Sequence, residues 1–394
     1  MSDTQKDTKP NVPNLRFPGF DGEWKQFTLG DITEQFSRRN KNKTDFPMFS
    51  VTNARGFVNQ QEQFEDREMK GEDIAAYKIV SPGEFAYNPA RINVGSIALY
   101  NGDTDCMISS LYVCFKARKD LVDSQLLLHI LKSPKMVYNY GINGEGGVRI
   151  YLFYPNFARI KVKLPSLEEQ RKIASFLDLI EERIQIQNKV IEDLNKLKIA
   201  LENRLVDQSH GKPVPLGDIL IERVEKSKER NQYEVLSSTV SGIFSQREYF
   251  NKEIASVDNT GYKVIRRGDV VLSPQNLWMG NINYNDQFEI GLVSPSYKTF
   301  SISESFDEKY VAFMLKTKRA LWRYSLVSEQ GASIVRRNLN IDAFLEITFP
   351  MPSLMEQRRI SSGISSLKNK ISLEQRLLDK LYKQKVFFLN AMFI

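Results

Sequence analysis

The sequence predicts an α+β protein, with two repeated α+β domains separated by two long helices that pair as an antiparallel coiled coil. Three observations in the 394 residues predict it. The chain repeats itself at an offset near 187. Each copy closes on a helix-start signature, and each signature opens a long apolar run with a period of about 3.5 residues.

The repeat is read directly. Leu29-Gly30-Asp31-Ile32 returns as Leu216-Gly217-Asp218-Ile219 at an offset of 187, and Gly56-Phe57 returns as Gly242-Ile243 at 186. The stretch from Tyr77 to Phe115 returns at 185, with Gly83, Pro89, Gly95, Ser109, Tyr112 and Phe115 meeting Gly268, Pro274, Gly280, Ser294, Tyr297 and Phe300. Leu131-Lys132 meets Leu315-Lys316 at 184, and beyond Gly144 the offset is again 187. Small insertions in loops account for the drift.

The strongest match sets Pro165-Ser166-Leu167-Glu168-Glu169-Gln170 against Pro352-Ser353-Leu354-Met355-Glu356-Gln357. A serine followed three residues later by glutamate, just before an apolar run, is a capping box, so long helices start near Ser166 and Ser353. The first seam steps by four and three through Ile173, Leu177, Ile180, Ile184, Gln187, Ile191, Leu194, Lys198, Leu201 and Leu205. The second takes the same steps through Ile360, Ile364, Leu367, Ile371, Glu374, Leu378, Leu381, Lys385, Phe388 and Met392. The polar breaks fall at matching places, as in a coiled coil whose polar seam residues fix register. At ~1.5 Å per residue such a helix is roughly 58 Å long. Antiparallel pairing spares the chain a return over that distance, and places one globular domain at each end of a rod.

The implied division is a disordered tail at 1–14, a first domain at 15–165, a central helix at 166–208, a second domain at 209–352 and a C-terminal helix at 353–394. Within the domains, Ser96–Tyr100, Leu111–Phe115 and Asp269–Leu272 read as short strands bounded by Gly, Pro and Asn, and Ser124–Leu131 and Lys309–Tyr324 read as helices.

Composition excludes several classes. With 41% hydrophobic and 26% charged residues the chain is an ordinary globular protein, and it holds no apolar run long enough to span a membrane. The opening MSDTQKDTKP lacks a secretory apolar region, so a cytoplasmic location is expected. Two cysteines eight apart (Cys106, Cys114) and two histidines (His129, His210) cannot supply a thiolate and imidazole metal site, and leave nucleophilic triads short of a base. No phosphate loop or dinucleotide fingerprint is present. Asn88-Pro89-Ala90-Arg91 departs from the base-flipping methyltransferase motif at its third and fourth positions, and Asp307-Glu308-Lys309 is an isolated fragment of a nuclease motif. Binding is left as the expected activity, without any bound cofactor. Net charge is +7, yet residues 23–165 carry 19 basic and 16 acidic groups and residues 212–352 carry 18 and 17, a mixture unsuited to unspecific coating of DNA.

Specific readout needs polar side chains on loops. Three repeated loops supply them. The first carries Thr52, Asn53 and Arg55, matched by Ser238 and Thr239; the second carries Arg91 and Asn93, matched by Asn276 and Trp278. The third is glycine-rich and ends in Arg149, matched by Ser333, Arg336 and Arg337. Glycine lets backbone approach a phosphate, and arginine pairs with phosphate or guanine. The third loop is the strongest candidate.

Leu15-Arg16-Phe17-Pro18 through Trp24, the duplicated Leu-Gly-Asp-Ile and the duplicated Pro-Ser-Leu-x-Glu-Gln-x-x-Ile give the whole chain a resemblance to the specificity subunit of type I restriction-modification systems. The resemblance implies that each domain is a target-recognition domain for one part of a split, asymmetric double-stranded DNA sequence. It implies that the helices are spacers docking two modification subunits, which bind S-adenosylmethionine, and that restriction subunits add ATP- and Mg-dependent translocation and cleavage. No membrane partner is implied. Two other readings stay open at this point: a self-sufficient nuclease or methyltransferase with a degenerate site, and a repeat-built protein-interaction adaptor.

Overall fold

Each repeat closes on itself through its first and last strands. Lys25–Thr28 runs antiparallel to Lys161–Leu164 with Lys25 opposite Leu164. In the second copy Lys212–Pro215 runs antiparallel to Thr348–Met351 with Lys212 opposite Met351. This closure delivers the chain, in both copies, to the start of a long helix.

The computed structural model describes residues 11–60, 74–146, 150–207, 210–250, 258–330 and 337–393. They form two compact units, one made of residues 1–188 with 376–394 and the other of residues 189–375.

In the first unit an antiparallel sheet runs in the order Thr33–Phe36, Val113–Ala117, Phe85–Tyr87, Ile97–Leu99. Phe85–Tyr87, Ile97–Leu99 and Val113–Ala117 are covered on both faces, which is why they read as nearly unbroken apolar runs, whereas the edge strand Thr33–Phe36 is polar and largely exposed. One face stacks Phe85 on Phe115 (centroids 4.9 Å apart) and Tyr87 on Phe157 (5.3 Å). The other packs Ala86, Ala98 and Cys114 against Val51, Val80 and Cys106 from the flanking hairpin and strand pair. The second unit repeats the order with Leu220–Glu222, Lys298–Ile302, Val270–Leu272 and Ile282–Tyr284. Its larger core gathers Phe300, Tyr310, Tyr324, Phe344 and Phe349.

The long helices span Leu167–Asp207 and Leu354–Met392. Ser166 Oγ accepts the Glu169 N–H and Ser353 Oγ accepts the Glu356 N–H, so the serines cap as expected. The glutamate half of the first capping box departs from expectation. Glu169, only 1% exposed, is held by a bidentate fork from Arg16, with both contacts at 2.8 Å. A planar guanidinium matches both carboxylate oxygens, and takes the partner a capping box would have used.

Ile173, Leu177, Ile180 and Ile184 are buried in the first unit, as are Leu378 and Leu381, while Ile364 is buried in the second. Ile191, Leu194, Leu201, Ile360, Leu367 and Ile371 are partly buried. In the first unit the pairing is antiparallel: Phe176 meets Phe388 edge-on at 4.8 Å, Glu181 pairs with Lys385, and Asn188 reaches Tyr382. In the second unit Lys198 and Glu202 of one helix face Ser365, Lys368 and Asn369 of the other.

Three expectations need correction. Residues 11–14 of the supposed tail are held: Asn11 O accepts the Trp24 N–H at 2.8 Å, Asn11 Oδ1 accepts from Lys163 at 2.6 Å, and Pro13 is buried. The expected helix over 309–324 is two helices, Glu308–Met314 and Lys318–Leu326, because Thr317 Oγ1 accepts the Ala320 N–H and caps a new start. The strand expected from Leu111 begins at Val113, since Tyr112 N–H turns back to Ser109 O.

Candidate nucleic-acid interface

The first loop of each unit is a hairpin turn built round a threonine. Thr52 Oγ1 donates to Gly56 O (3.2 Å) and accepts the Arg55 N–H (3.1 Å). Thr239 Oγ1 donates to Gly242 O (3.2 Å) and accepts the Ser241 N–H (3.1 Å). Both hydroxyls shape the turn, leaving Asn53, Ala54 and Arg55 exposed in one copy and Val240 and Ser241 in the other. Ser238 does not belong among exposed readers. It is 3% exposed, its hydroxyl donating to Asn281 Oδ1 and accepting from Asn283 Nδ2, both at 2.8 Å. It lies in a strand buried from Leu236 through Ser238, which the repeat alone did not reveal.

The second loop carries a single turn of 3-10 helix, Ile92–Val94 in one copy and Leu277–Met279 in the other. Both turns end in a left-handed glycine, Gly95 at φ 92° and Gly280 at φ 94°, where a side chain would be strained. Arg91 and Asn276 stand before these turns, Arg91 exposed and Asn276 half-buried; Asn93 and Trp278 lie within them, half-buried.

Of the third loop, Arg149, Ser333 and Arg336 lie outside the described residues; Arg337 is described. Its guanidinium lies 4.3 Å over the Trp278 ring, and its N–H donates to Gln275 O. In the first unit the matching tie is Leu152 N–H to Pro89 O. Loops one and two also meet: a Cβ on Gly95 would fall 2.5 Å from Asn53 Oδ1, so only glycine admits that side chain. Among the described residues, the first two loops of the first unit thus meet at Gly95 and Asn53, and the second loop of the second unit meets Arg337. In the first unit, Asn53, Arg55 and Gly95 border a cleft of about 1120 Å3.

Reactive chemistry is not found beside them. Asn88 Oδ1 accepts the Ala90 N–H, a turn rather than a base clamp. Asp307 caps a helix and Glu308 accepts the Tyr284 hydroxyl, which disposes of the nuclease fragment. Burial pushes the Cys106 and Cys114 thiols up to about 12, and both are free and inert. His129 Nε2 lies 2.7 Å from Asp178 Oδ1, joining a helix of the domain to the first long helix, and burial holds its pKa below the usual imidazole value. No group of acidic, His or Cys side chains among the described residues could hold a metal.

Sequence reasoning missed the duplicated glutamines. Gln170 Oε1 accepts the Asp123 N–H (2.9 Å) while its Nε2 donates to Leu121 O and Pro165 O (both 3.0 Å). Gln357 Oε1 accepts the Asp307 N–H (2.9 Å) and its Nε2 donates to Pro352 O (2.9 Å). Each glutamine bolts its domain to a long helix, and its place in the duplicated motif was the available signal.

A duplicated scaffold that carries unlike polar loops in its two copies is the form of a recognition protein. The chain belongs to the type I restriction-modification DNA specificity domain family, whose model matches residues 21–196 and 213–383, and it is a non-catalytic specificity subunit with two DNA-recognition domains. Among named relatives it is 22% identical over 414 residues to a proposed type I restriction enzyme MjaX specificity subunit of Methanocaldococcus jannaschii, covering 94% of this chain and 92% of that one. It is also 22% identical over 328 residues to the MjaVIII specificity subunit of the same organism, covering 73% of each. Among solved structures, the S subunit of a type I system from M. genitalium has the same fold, at 14% identity and TM-score 0.56 over 97% of this chain and 99% of that one. A chain solved in work on assembly and conformational transition of a type I system gives 15% identity and TM-score 0.58, over 95% and 98%.

Proposed function

We propose that this subunit reads a bipartite, asymmetric DNA target, one half-site per domain, and presents it to two modification subunits and to restriction subunits. One observation carries this reading: two copies of one scaffold carry equivalent loops, and the exposed residues on those loops differ. Asn53, Arg55, Arg91 and Asn93 are assigned to one half-site, with Thr52 setting the turn. Thr239, Asn276, Trp278 and Arg337 are assigned to the other. Arg149, Ser333 and Arg336 are retained as phosphate or base contacts on sequence grounds. The chain itself needs no cofactor in this reading; S-adenosylmethionine, ATP and Mg2+ belong to the partner subunits. Docking on the long helices is supported by Leu179 and Ile186, which face solvent off the seam of the first unit. No helix of the described residues is long and apolar enough to cross a membrane, in keeping with a cytoplasmic assembly.

Methylation-sensitive sequencing of DNA from cells carrying the complex tests the reading. The expected result is two short, unlike motifs at a fixed gap. A single contiguous motif, or a palindromic one, would refute it. In the purified complex, Arg91→Ala should weaken discrimination at one half-site, by about 1–3 kcal/mol if the side chain reads a base.

A further inference from the structure

The second domain holds a closed polar network behind its first and second loops, and nothing in the reading so far uses it. Its anchor is Lys316, at the break between the helices Glu308–Met314 and Lys318–Leu326. The ammonium has three protons and all three are placed: on Val240 O (3.0 Å), on Gly280 O (2.9 Å) and on Asn283 Oδ1 (2.9 Å). Val240 lies in the first loop and Gly280 ends the second. Asn283 carries the contact onward, donating to Ser238 Oγ (2.8 Å) and Thr239 O (2.7 Å). Ser238 in turn donates to Asn281 Oδ1 (2.8 Å), while Asn281 Nδ2 (2.9 Å) and the Tyr297 hydroxyl (3.0 Å) both donate to Ser238 O.

All three oxygens on the ammonium are uncharged. Burial, with Lys368 nearby, holds the Lys316 pKa down to about 8, so the site strains against the charge it contains. The ammonium is held by neutral oxygens alone, and what the contact supplies is geometry: one atom fixes two loops to each other.

The first domain does this differently. The counterpart of Asn283 is Ala98, which has no polar side-chain atom, and Ser96, the counterpart of Asn281, reaches the first loop through a single bond to Val51 O (2.8 Å). Lys132, the counterpart of Lys316, feels Glu181 and Lys385 of the long helices instead.

We propose that Lys316 and Asn283 are positioning residues for the second domain, setting the relative placement of its two reading loops and hence its half-site specificity without touching DNA. This rests on the domain reading DNA as proposed above. The test uses the assembled modification complex with Asn283→Ala, which installs the residue the first domain carries at that place, and with Lys316→Met. Methylation of DNA pools varied in one half-site at a time is measured beside the thermal midpoint of the complex. Assayed below their midpoints, both variants should tolerate wrong bases about tenfold more readily at the same single half-site with the other half-site unchanged; Asn283→Ala, which strands buried polar partners, should also lower the midpoint. The double variant should be no worse than the poorer single one, because both act through one network. Discrimination intact at both half-sites in the variants would overturn the inference, as would equal loss at both. A wild-type complex that discriminates at neither half-site would instead overturn the reading of the domain.

Discussion

Gln170 shows how much one side chain can be asked to do. It is buried and ties the Asp123 N–H, Leu121 O and Pro165 O to the root of the first long helix. Truncating it strands three backbone groups without water, and an unsatisfied buried group costs about 1–3 kcal/mol. Gln170→Ala should therefore lower the unfolding free energy by at least about 1–3 kcal/mol, read as a lower denaturant midpoint, and an unchanged midpoint would contradict the role given to it. The sequence marked the motif around Gln170 twice, as a helix start, yet periodicity and capping rules speak only of serine and glutamate. Two of the glutamine's partners, Asp123 and Leu121, lie 47 and 49 residues away in the chain, and no local rule reaches that far. Ser238 failed for a related reason: residue type suggested a reader, whereas its strand is buried from Leu236 through Ser238 and its hydroxyl is taken up by Asn281 and Asn283, more than forty residues on.

Among elements, the long helices were the most legible, because a repeated apolar spacing over some forty residues leaves few alternatives. Contrast Leu177, buried on the seam at 1% exposure, with Leu179, two residues on and 64% exposed. Leu177→Ala should cost about 2–5 kcal/mol, whereas Leu179→Ala should stay within about 0.5 kcal/mol in the isolated subunit. Equal effects on thermal stability would undo the seam assignment. Short elements were less legible. The helix Pro134–Asn143 went unpredicted although Ser133 caps it and Pro134 opens it, and the matching break at Thr317 was read straight through. Both signals are single residues inside apolar stretches, and there a cap is outvoted by the pattern around it.

At the scale of the whole chain, the repeat predicted two domains in succession, and the packing divides the molecule otherwise. The first unit takes residues 376–394 from the far end of the sequence. There Phe388 meets Phe176, Lys385 pairs with Glu181, and Ala391 O accepts the Leu15 N–H. Deleting residues 376–394 should accordingly damage the first domain and spare the second. Limited proteolysis is expected to cut residues 15–165 while a fragment containing 212–352 persists, and the reverse order of cleavage would contradict the division.

That borrowed segment has a consequence for biosynthesis. When residue 188 leaves the ribosome, the strands of the first unit are made but Phe176 and Glu181 still lack Phe388 and Lys385, the partners they will meet. At roughly 5–20 residues per second the missing piece follows roughly 10–40 s later. The earliest-born half of this subunit is thus the last to be finished, and it waits for those contacts while its younger twin is being made.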